Sequence, residues 1–211
     1  MKNSKNQTKS QIAYEMLRKM ILAHEFAQEF SWSLRALAKK FNMSVVPITE
    51  AVRRLEQEGI ICVTPQRGIS IANLSPWQLK QINVIREGLE IQAARIVAMN
   101  LTNSPAIEAL RQIAIEIEEF VELNNWPKIN VLDYKLHRML VEASGNEMLC
   151  ETYDRLLTMS MVAFKGQSME CFGGSARDSH NHIKLIDNIC SGDPEKAEKA
   201  VREHIRSDAS Q

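Results

Sequence analysis

The amino-acid sequence predicts a mainly α-helical protein, in which an N-terminal winged helix-turn-helix precedes an all-α, antiparallel bundle of about six helices. Three observations lead to this prediction. Only 8 glycines and 6 prolines occur among 211 residues, which favours helices over a β-sandwich. The alternation of apolar residues that is typical of short strands is confined to residues 60–71. Apolar residues at helical spacing occupy most of the remaining chain.

The N-terminal elements are three helices and a small hairpin, in the order that a winged helix-turn-helix requires. The helices are predicted where apolar residues recur at helical spacing, in the segments 8–24, 33–41 and 42–59. Residues 60–63 and 69–71 then read as two short strands around the turn TPQRG.

Residues at the ends of these helices support the assignment. Ser33 and Ser44 precede the second and third helices as N-caps, whose side-chain oxygens can accept a free backbone N–H. Pro47 falls in the first turn of the third helix, where its missing N–H does no harm. Gly59 is placed to end that helix in the left-handed conformation.

Strand signals stop beyond residue 73, and six further helices are predicted: 76–100, 105–123, 127–144, 146–165, 176–191 and 194–208. Three of them open with an N-cap residue followed by proline: Ser75-Pro76, Ser104-Pro105 and Asp193-Pro194. The segment 166–175, GQSMECFGGS, is predicted to be a loop. The chain therefore divides into a winged helix-turn-helix domain over residues 1–72 and a helical-bundle domain over residues 73–211.

Charge is unevenly distributed along the chain, although the net charge is zero. Residues 1–72 carry 11 Lys and Arg against 6 Asp and Glu, whereas residues 73–211 carry 15 against 20. A basic N-terminal part joined to an acidic remainder indicates a polyanion-binding module attached to something else.

Several classes of protein are disfavoured by the composition. No apolar run approaches the roughly 18 residues that span a bilayer. The basic N-terminus is not followed by the apolar segment of a signal peptide. The four cysteines are scattered and suggest no disulfide framework. We therefore expect a cytoplasmic protein without a membrane partner.

A helix-turn-helix reads double-stranded DNA by placing the first turns of its second helix in the major groove. That helix starts at Ser44 here, and Lys39 and Lys40 could meet phosphates. The residues expected to bind DNA lie on this helix, on the preceding helix and in the wing: Arg35, Ser44, Val45, Val46, Thr49, Arg53, Arg67 and Gly68. The alternative is a three-helix unit that makes protein contacts and has a solvated charged face.

Four residues with metal-binding chemistry lie on apolar faces of the bundle helices. In NVLDYKLHRMLVEASGN, Asp133 and His137 are four residues apart and so lie side by side on a helix. Alone, this pair is most simply explained as a surface contact. However, His182 shares its face with Leu185, Ile186 and Ile189, and His204 shares its face with Ala197, Ala200 and Val201.

One divalent cation would satisfy the carboxylate and all three imidazoles, whereas unpaired buried polar groups cost about 1–3 kcal/mol each. We therefore predict a metal site at Asp133, His137, His182 and His204. Zn²⁺ is the first choice, with Ni²⁺, Mn²⁺ or Fe²⁺ as alternatives.

The segment LRALAKKFNMSVVPITEAVRRLEQEGIICVTPQRGISIA, residues 34–72, resembles the DNA-binding domain of GntR-type transcription regulators. The resemblance spans roughly residues 12–72 and implies operator binding. Arg35 stands where the family has a DNA-contacting arginine. Val45 and Thr49 stand where family members usually carry arginine. Val45 can contact a thymine methyl and Thr49 can read either type of base, so we expect an atypical, A·T-leaning operator.

The C-terminal part is similar to the FCD effector domain of the FadR-type branch of that family. The similarity rests on DYKLHRMLVEASGNEML and NHIKLIDNICSGDPEKAEKAVREHI and covers about residues 75–208. It implies that Asp133, His137, His182 and His204 are metal ligands, with none missing. Six helices rather than seven point to the VanR-like subgroup.

In that family the metal often holds a small carboxylic acid, which implies an organic acid effector here. Arg86 is the residue expected to bind it, because a buried arginine needs an anion and a carboxylate fits its two parallel donors. Arg86 lies on the apolar face of the first bundle helix, with Ile82, Ile85, Leu89 and Ala93. The alternative is an internal ion pair, for example with Glu90.

The sequence therefore predicts a transcription regulator, not an enzyme, that binds operator DNA as a symmetric homodimer and responds to a small carboxylate at a metal site. One rival is a metal sensor, in which the ion itself is the signal. A second is a metal-dependent hydrolase, although no HExxH motif or evident general base accompanies the ligands. A third is a protein-interaction module that has lost DNA binding.

Overall fold

The structure, a computed structural model, describes these parts of the chain: residues 7–22, 25–26, 31–100, 104–163 and 181–209. They fall into two units. The first lies within Met1–Ser75 and Thr158–Ala163, and the second within Pro76–Leu157 and Phe164–Gln211. Among the described residues, no helix combines the length and the apolar character needed to cross a bilayer.

The first unit contains the expected three helices and two-stranded hairpin. In chain order they are α1 (Lys9–Leu22), α2 (Leu34–Lys40), α3 (Val45–Gln57), β1 (Ile61–Thr64) and β2 (Gly68–Ile71). The strands pair antiparallel, with Ile61 opposite Ile71 and Thr64 opposite Gly68. The prediction of a winged helix-turn-helix is confirmed, with β1 displaced by one residue and β2 beginning one residue earlier than predicted.

The core of this unit is built from the apolar faces that the helical spacing predicts. α3 buries Ile48, Val52 and Leu55, and α2 buries Leu37 and Ala38. α1 adds Ala13, Tyr14, Leu17, Met20 and Ile21. Because the buried positions of α3 recur every three or four residues, its opposite face remains exposed to solvent.

The helix ends agree with the sequence, with one difference. The Ser33 hydroxyl accepts a hydrogen bond from the backbone N–H of Ala36 at 3.0 Å. Gly59 has a φ of +73°, and the N–H of Ile60 reaches back to the carbonyl of Leu55 at 3.0 Å, which closes α3. Ser44 occupies the N-cap position in extended backbone, but its side chain makes no capping hydrogen bond.

One contact of the wing was not predicted. The N–H and carbonyl groups of Trp32 and Ile69 exchange two hydrogen bonds of 2.8 Å, which add a bridge to the outer side of β2. Gly68 follows the turn with a φ of +93°, and a Cβ there would lie 2.7 Å from the carbonyl oxygen of Trp32. The wing therefore requires glycine at position 68.

The second unit is the predicted helical bundle. Its helices among the described residues are α4 (Pro76–Asn100), α5 (Pro105–Glu122), α6 (Trp126–Ala143), α7 (Glu147–Ala163), α8 (His182–Ile189) and α9 (Pro194–Ala209). The last part of α7, Thr158–Ala163, is grouped with the first unit. The predicted loop 166–175 and the first residues of the predicted helix 176–191 lie outside the described residues.

The three predicted helix starts that are marked by proline are confirmed. α4, α5 and α9 each begin at the expected proline. α6 and α7 each begin one residue from the predicted start, and α8 begins at His182, after its N-cap Asn181, six residues later than predicted. Ser104 accepts a hydrogen bond from the backbone N–H of Ile107, and Asp193 accepts one from the N–H of Glu195 at 2.9 Å. These caps satisfy helix N–H groups that have no partner within the helix.

The bundle packs α4 against α9 and α6, α5 against α6 and α8, and α8 against α9. Its core is aliphatic, with fully buried side chains such as Leu110, Ile117, Leu136, Ile186 and Val201. Polar side chains within this apolar interior therefore stand out, and four of the buried ones lie close together: Glu90, His137, His182 and His204.

Candidate metal centre and DNA interface

Three helices bring the four predicted metal ligands together. Asp133 and His137 lie one turn apart on α6, His182 is the first residue of α8, and His204 lies on α9. The three histidines are only 3%, 0% and 7% exposed, in that order, and the side chain of Asp133 is 20% exposed. The imidazoles point inward because the other positions on the same helix faces are apolar and buried.

The side-chain atoms of this cluster are within contact distance. His182 Nε2 lies 2.8 Å from Asp133 Oδ1, and His137 Nε2 lies 3.4 Å from the same oxygen. His204 Nε2 lies 3.2 Å from His137 Nε2. One donor atom from each of the four residues lies within 4.8 Å of all the others.

This set of donors fits a divalent cation. Zn²⁺ binds imidazole nitrogens and carboxylate oxygens at about 2.0–2.2 Å, so two ligands of one ion lie at most about 4.4 Å apart. Small side-chain adjustments would place all four atoms on one ion. Three imidazoles and one carboxylate also suit other first-row divalent metals. The geometry is therefore compatible with the predicted ligand role, which stays a prediction.

Sequence reasoning named Glu90 only as a possible partner of Arg86 and missed its place beside the metal ligands. Glu90, on α4, is fully buried, and its Oε2 lies 2.6 Å from Nδ1 of His137. Its Oε1 accepts hydrogen bonds from the Tyr153 hydroxyl at 2.7 Å and from Arg86 Nε and Nη2 at 3.1 and 3.0 Å. Helical spacing could have revealed Glu90, because it continues the inward i, i+4 row of Ile82 and Arg86.

The two carboxylates set the protonation of the cluster. Burial disfavours a charged imidazole, but Glu90 and Asp133 outweigh it and raise the pKa of His137 to about 10. Burial also disfavours charged carboxylates. For Asp133, His137 and His182 outweigh burial and hold the pKa well below its usual value. For Glu90, His137 and Arg86 outweigh burial and lower the pKa to about 2. Burial and the charges of neighbouring histidines lower the pKa of His204 to about 3. His204 is therefore neutral at pH 7, as a metal ligand must be.

Arg86 lies beside the site, but it is engaged by Glu90. The Arg86 side chain is 12% exposed, and its guanidinium group forms a 3.0 Å ion pair with the Glu90 carboxylate, the alternative that the sequence left open. The predicted apolar face around it is only partly formed, because Ile82 and Ala93 are buried whereas Ile85 is 49% exposed. Effector binding by Arg86 stays a prediction, and an effector would have to share this arginine with Glu90.

Most of the predicted DNA-contacting residues are exposed to solvent in the first unit. The exposed ones are Arg35, Ser44, Val45, Val46, Arg53 and Arg67. Val45 and Val46 are 41% and 67% exposed although they are apolar. Lys39 and Lys40, which are also exposed, lie at the end of α2. This surface combines basic side chains with an apolar pair at the start of α3, and DNA contact by these residues stays a prediction.

Thr49 and Gly68, the other two residues of the predicted set, are half-buried. The Thr49 hydroxyl donates a hydrogen bond to the Val45 carbonyl at 2.9 Å, so its oxygen can act toward a base only as an acceptor. Gly68 is explained by the close approach of the Trp32 carbonyl, which is a structural requirement of the wing.

Comparisons with known proteins agree with this two-part organisation. Residues 9–71 match the gntR family of bacterial regulatory proteins, and residues 81–207 match the FCD domain. The chain is 24% identical over 206 residues to the HTH-type transcriptional repressor RspR of Escherichia coli strain K12, covering 93% of this chain and 86% of RspR. It is 26% identical over 218 residues to the HTH-type transcriptional repressor NanR of Salmonella schwarzengrund strain CVM19633, covering 94% of this chain and 82% of NanR.

A solved structure extends the similarity to the fold. The structure of E. coli McbR/YncC superposes with a TM-score of 0.73 at 18% sequence identity, covering 97% of both chains. The FCD match extends over more than half of the chain, and the gntR match accounts for the winged helix-turn-helix. The chain therefore belongs to the GntR family of bacterial transcription regulators and carries an FCD domain.

Proposed function

We propose that this GntR-family regulator responds to a small carboxylate, which binds at a divalent metal ion in the FCD domain and modulates the binding of operator DNA. The observation that carries the proposal is the convergence of Asp133, His137, His182 and His204, whose donor atoms lie within 4.8 Å of one another. Burying such a polar cluster costs free energy, so its presence in an aliphatic core favours a binding function over a structural one.

Asp133 and the three histidines would hold the ion, with Zn²⁺ the first choice. Four protein ligands leave positions open on a metal that accepts five or six, such as Ni²⁺, Mn²⁺ or Fe²⁺, and Zn²⁺ can also expand to five. The bound ion supplies positive charge at those positions, and only Asp133 among its ligands offsets that charge. A carboxylate is the natural ligand for the remaining positions, with Arg86 as its second partner.

On the DNA side, Arg35, Arg53 and Arg67 would contact phosphates or base edges. Ser44 could donate or accept hydrogen bonds with bases, and Thr49 could accept them. Exposed Val45 and Val46 are suited to thymine methyl groups, which supports the expectation of an A·T-leaning operator. The protein would act in the cytoplasm, where it meets its operator.

We further propose that the protein is a homodimer and that α4 contributes to the dimer surface. Val84 and Ile85 are 71% and 49% exposed on this helix. Gly88 lies one turn further on, and a Cβ there would have no neighbour within 4 Å among the residues that the structure describes. An apolar pair next to a glycine suits close packing of two symmetry-related helices.

Fluorescence anisotropy with a labelled operator tests the proposal, in four arms: protein alone, with Zn²⁺, with a panel of small carboxylates, and with both. A ligand can shift operator affinity only by its differential affinity for the DNA-bound and free states. We expect the largest shift when metal and one carboxylate are present together.

The other outcomes correspond to the rival functions. A full shift with Zn²⁺ alone would identify a metal sensor, and carboxylate or ester turnover that His137→Ala abolishes would identify a hydrolase. Operator affinity that no combination changes would overturn the proposed regulation. The absence of salt-dependent DNA binding would favour a protein-interaction module.

A further inference from the structure

We propose that Glu90 is the positioning residue of the metal centre: its buried carboxylate holds His137 in the orientation and tautomer that binding of a cation requires. This inference rests on the proposed metal-binding function. It concerns a residue outside the four ligands, on a different helix from any of them.

The two nitrogens of His137 face different groups. Nδ1 lies 2.6 Å from Glu90 Oε2. Nε2 faces the cluster, 3.4 Å from Asp133 Oδ1 and 3.2 Å from His204 Nε2. A neutral imidazole has one N–H and one lone pair, so donation of Nδ1–H to Glu90 leaves the lone pair of Nε2 directed at the site of the ion.

Glu90 is itself firmly held. Arg86 donates Nε–H and Nη2–H to Oε1, and the Tyr153 hydroxyl donates to the same oxygen at 2.7 Å. The carboxylate is fully buried and cannot exchange these donors for water. Because one oxygen is fixed by Arg86 and Tyr153, the other is fixed in its position beside His137.

The arrangement also connects the metal centre to two helices that supply none of its ligands. Arg86 and Glu90 lie on α4, and Tyr153 lies on α7. A change in the orientation of His137 would therefore be opposed by contacts from both helices. We infer that the network keeps one of the three imidazoles in place before the ion binds, which lowers the free energy needed to organise the site.

The two possible roles of Glu90, as part of a purely structural ion pair or as a positioning residue, predict different results. Loss of a structural pair would lower stability equally with and without metal. Loss of a positioning residue lowers the affinity for metal specifically and alters the tautomer of one histidine. The test therefore measures Zn²⁺ affinity and the imidazole tautomer together with stability.

Glu90→Gln keeps the size of the side chain and removes its charge. Zn²⁺ affinity of the full chain is measured by competition with a chromophoric chelator, and folding by circular dichroism with the metal removed. We expect folded Glu90→Gln to bind Zn²⁺ about 10- to 100-fold more weakly than the wild type. The matched control is Glu87→Gln on the same helix, whose carboxylate pairs with Arg206 and should leave the affinity unchanged.

Two further measurements cover the case in which Glu90→Gln does not fold. Tyr153→Phe removes only one of the hydrogen bonds to Glu90, and we expect a smaller but measurable loss of affinity. Long-range ¹H–¹⁵N spectra of the wild-type protein loaded with Zn²⁺ report the tautomer directly, and we expect the proton of His137 on Nδ1.

The outcomes separate this inference from the function on which it rests. A wild-type protein that does not bind Zn²⁺ or another divalent metal overturns the proposed metal centre. A wild-type protein that binds Zn²⁺ while Glu90→Gln binds it equally well overturns the role of Glu90 alone. A Zn²⁺-bound His137 with its proton on Nε2 does the same.

Discussion

Nε2 of His182 lies 2.8 Å from Oδ1 of Asp133, although the two residues are 49 positions apart and belong to different helices. The contact joins the start of α8 to the middle of α6 inside an otherwise aliphatic core. Buried polar pairs of this kind often contribute little net stability, because desolvation offsets their attraction. Their presence is better explained by a function that uses them, and binding of a cation is the function that suits this set of donors.

The pKa of His137 predicts that metal binding releases a proton. Glu90 and Asp133 overcome the effect of burial and raise this pKa to about 10, so in the metal-free protein at pH 7 both ring nitrogens of His137 are protonated. Zn²⁺ must displace one of these protons, whereas His204, with its pKa lowered to about 3, is already neutral. We expect release of about one proton per Zn²⁺ at pH 7, and an affinity that rises about tenfold per pH unit between pH 7 and 9.

Titration calorimetry in buffers with different ionisation enthalpies measures this proton release. An observed enthalpy that does not depend on the buffer, or an affinity that falls as the pH rises, would contradict the assigned protonation of His137.

Gly68→Ala is expected to destabilise the first unit. A Cβ at position 68 would lie 2.7 Å from the carbonyl oxygen of Trp32, and the φ of +93° is unfavourable for alanine. We expect a loss of about 1–3 kcal/mol in the free energy of unfolding. Gly145→Ala is the control, because Gly145 has a φ of +67° but, within the described parts of the chain, no neighbour within 4 Å of its Cβ position. Urea denaturation should show the smaller loss for Gly145→Ala, and equal losses would argue against the close approach in the wing.

Arg35→Ala and Arg67→Ala are each expected to weaken operator binding. Both side chains are exposed on the surface assigned to DNA. If each neutralises one phosphate, its removal lowers the slope of log affinity against log salt concentration by about 1. Arg111→Ala, in the second unit, serves as the control, since Arg111 pairs with Asp187 on α8. Unchanged salt dependence in both variants would place the DNA-binding surface elsewhere.

Val84→Glu is expected to dissociate the proposed dimer. The substitution places a charge in the exposed apolar pair of α4, and two copies would face each other across a symmetric interface. Val131→Glu, on α6, is the control: it makes the same substitution at a similarly exposed valine, which is 59% exposed. Sedimentation equilibrium should show a monomer for Val84→Glu and a dimer for Val131→Glu. The assignment of α4 fails if both variants remain dimeric.

Local patterns predicted most of the fold. Helix spans, the hairpin and the proline-marked helix starts depend on neighbouring residues, so their signals are contained in short segments. The meeting of Asp133, His137, His182 and His204 was also predicted, because each imidazole lies on an apolar face of its helix and must point into the bundle.

The features that were missed depend on distant partners. Helical spacing places Glu90 on the inward row of Ile82 and Arg86, but its contact with His137 lies 47 positions away and has no local signal. The same limit applies to the bridge between Trp32 and Ile69. Helical spacing alone places Ile85 on the apolar face, but the side chain is 49% exposed, because it lies at the edge of the buried face of α4.

X-ray absorption at the zinc K-edge tests the central claim most directly. The protein is loaded with one equivalent of Zn²⁺, and the scattering around the ion identifies its ligands. Our account predicts three imidazoles and carboxylate oxygen at about 2.0–2.2 Å, and loss of one imidazole in His182→Ala. Sulfur scattering near about 2.3 Å, or a wild-type spectrum unchanged by His182→Ala, would contradict it.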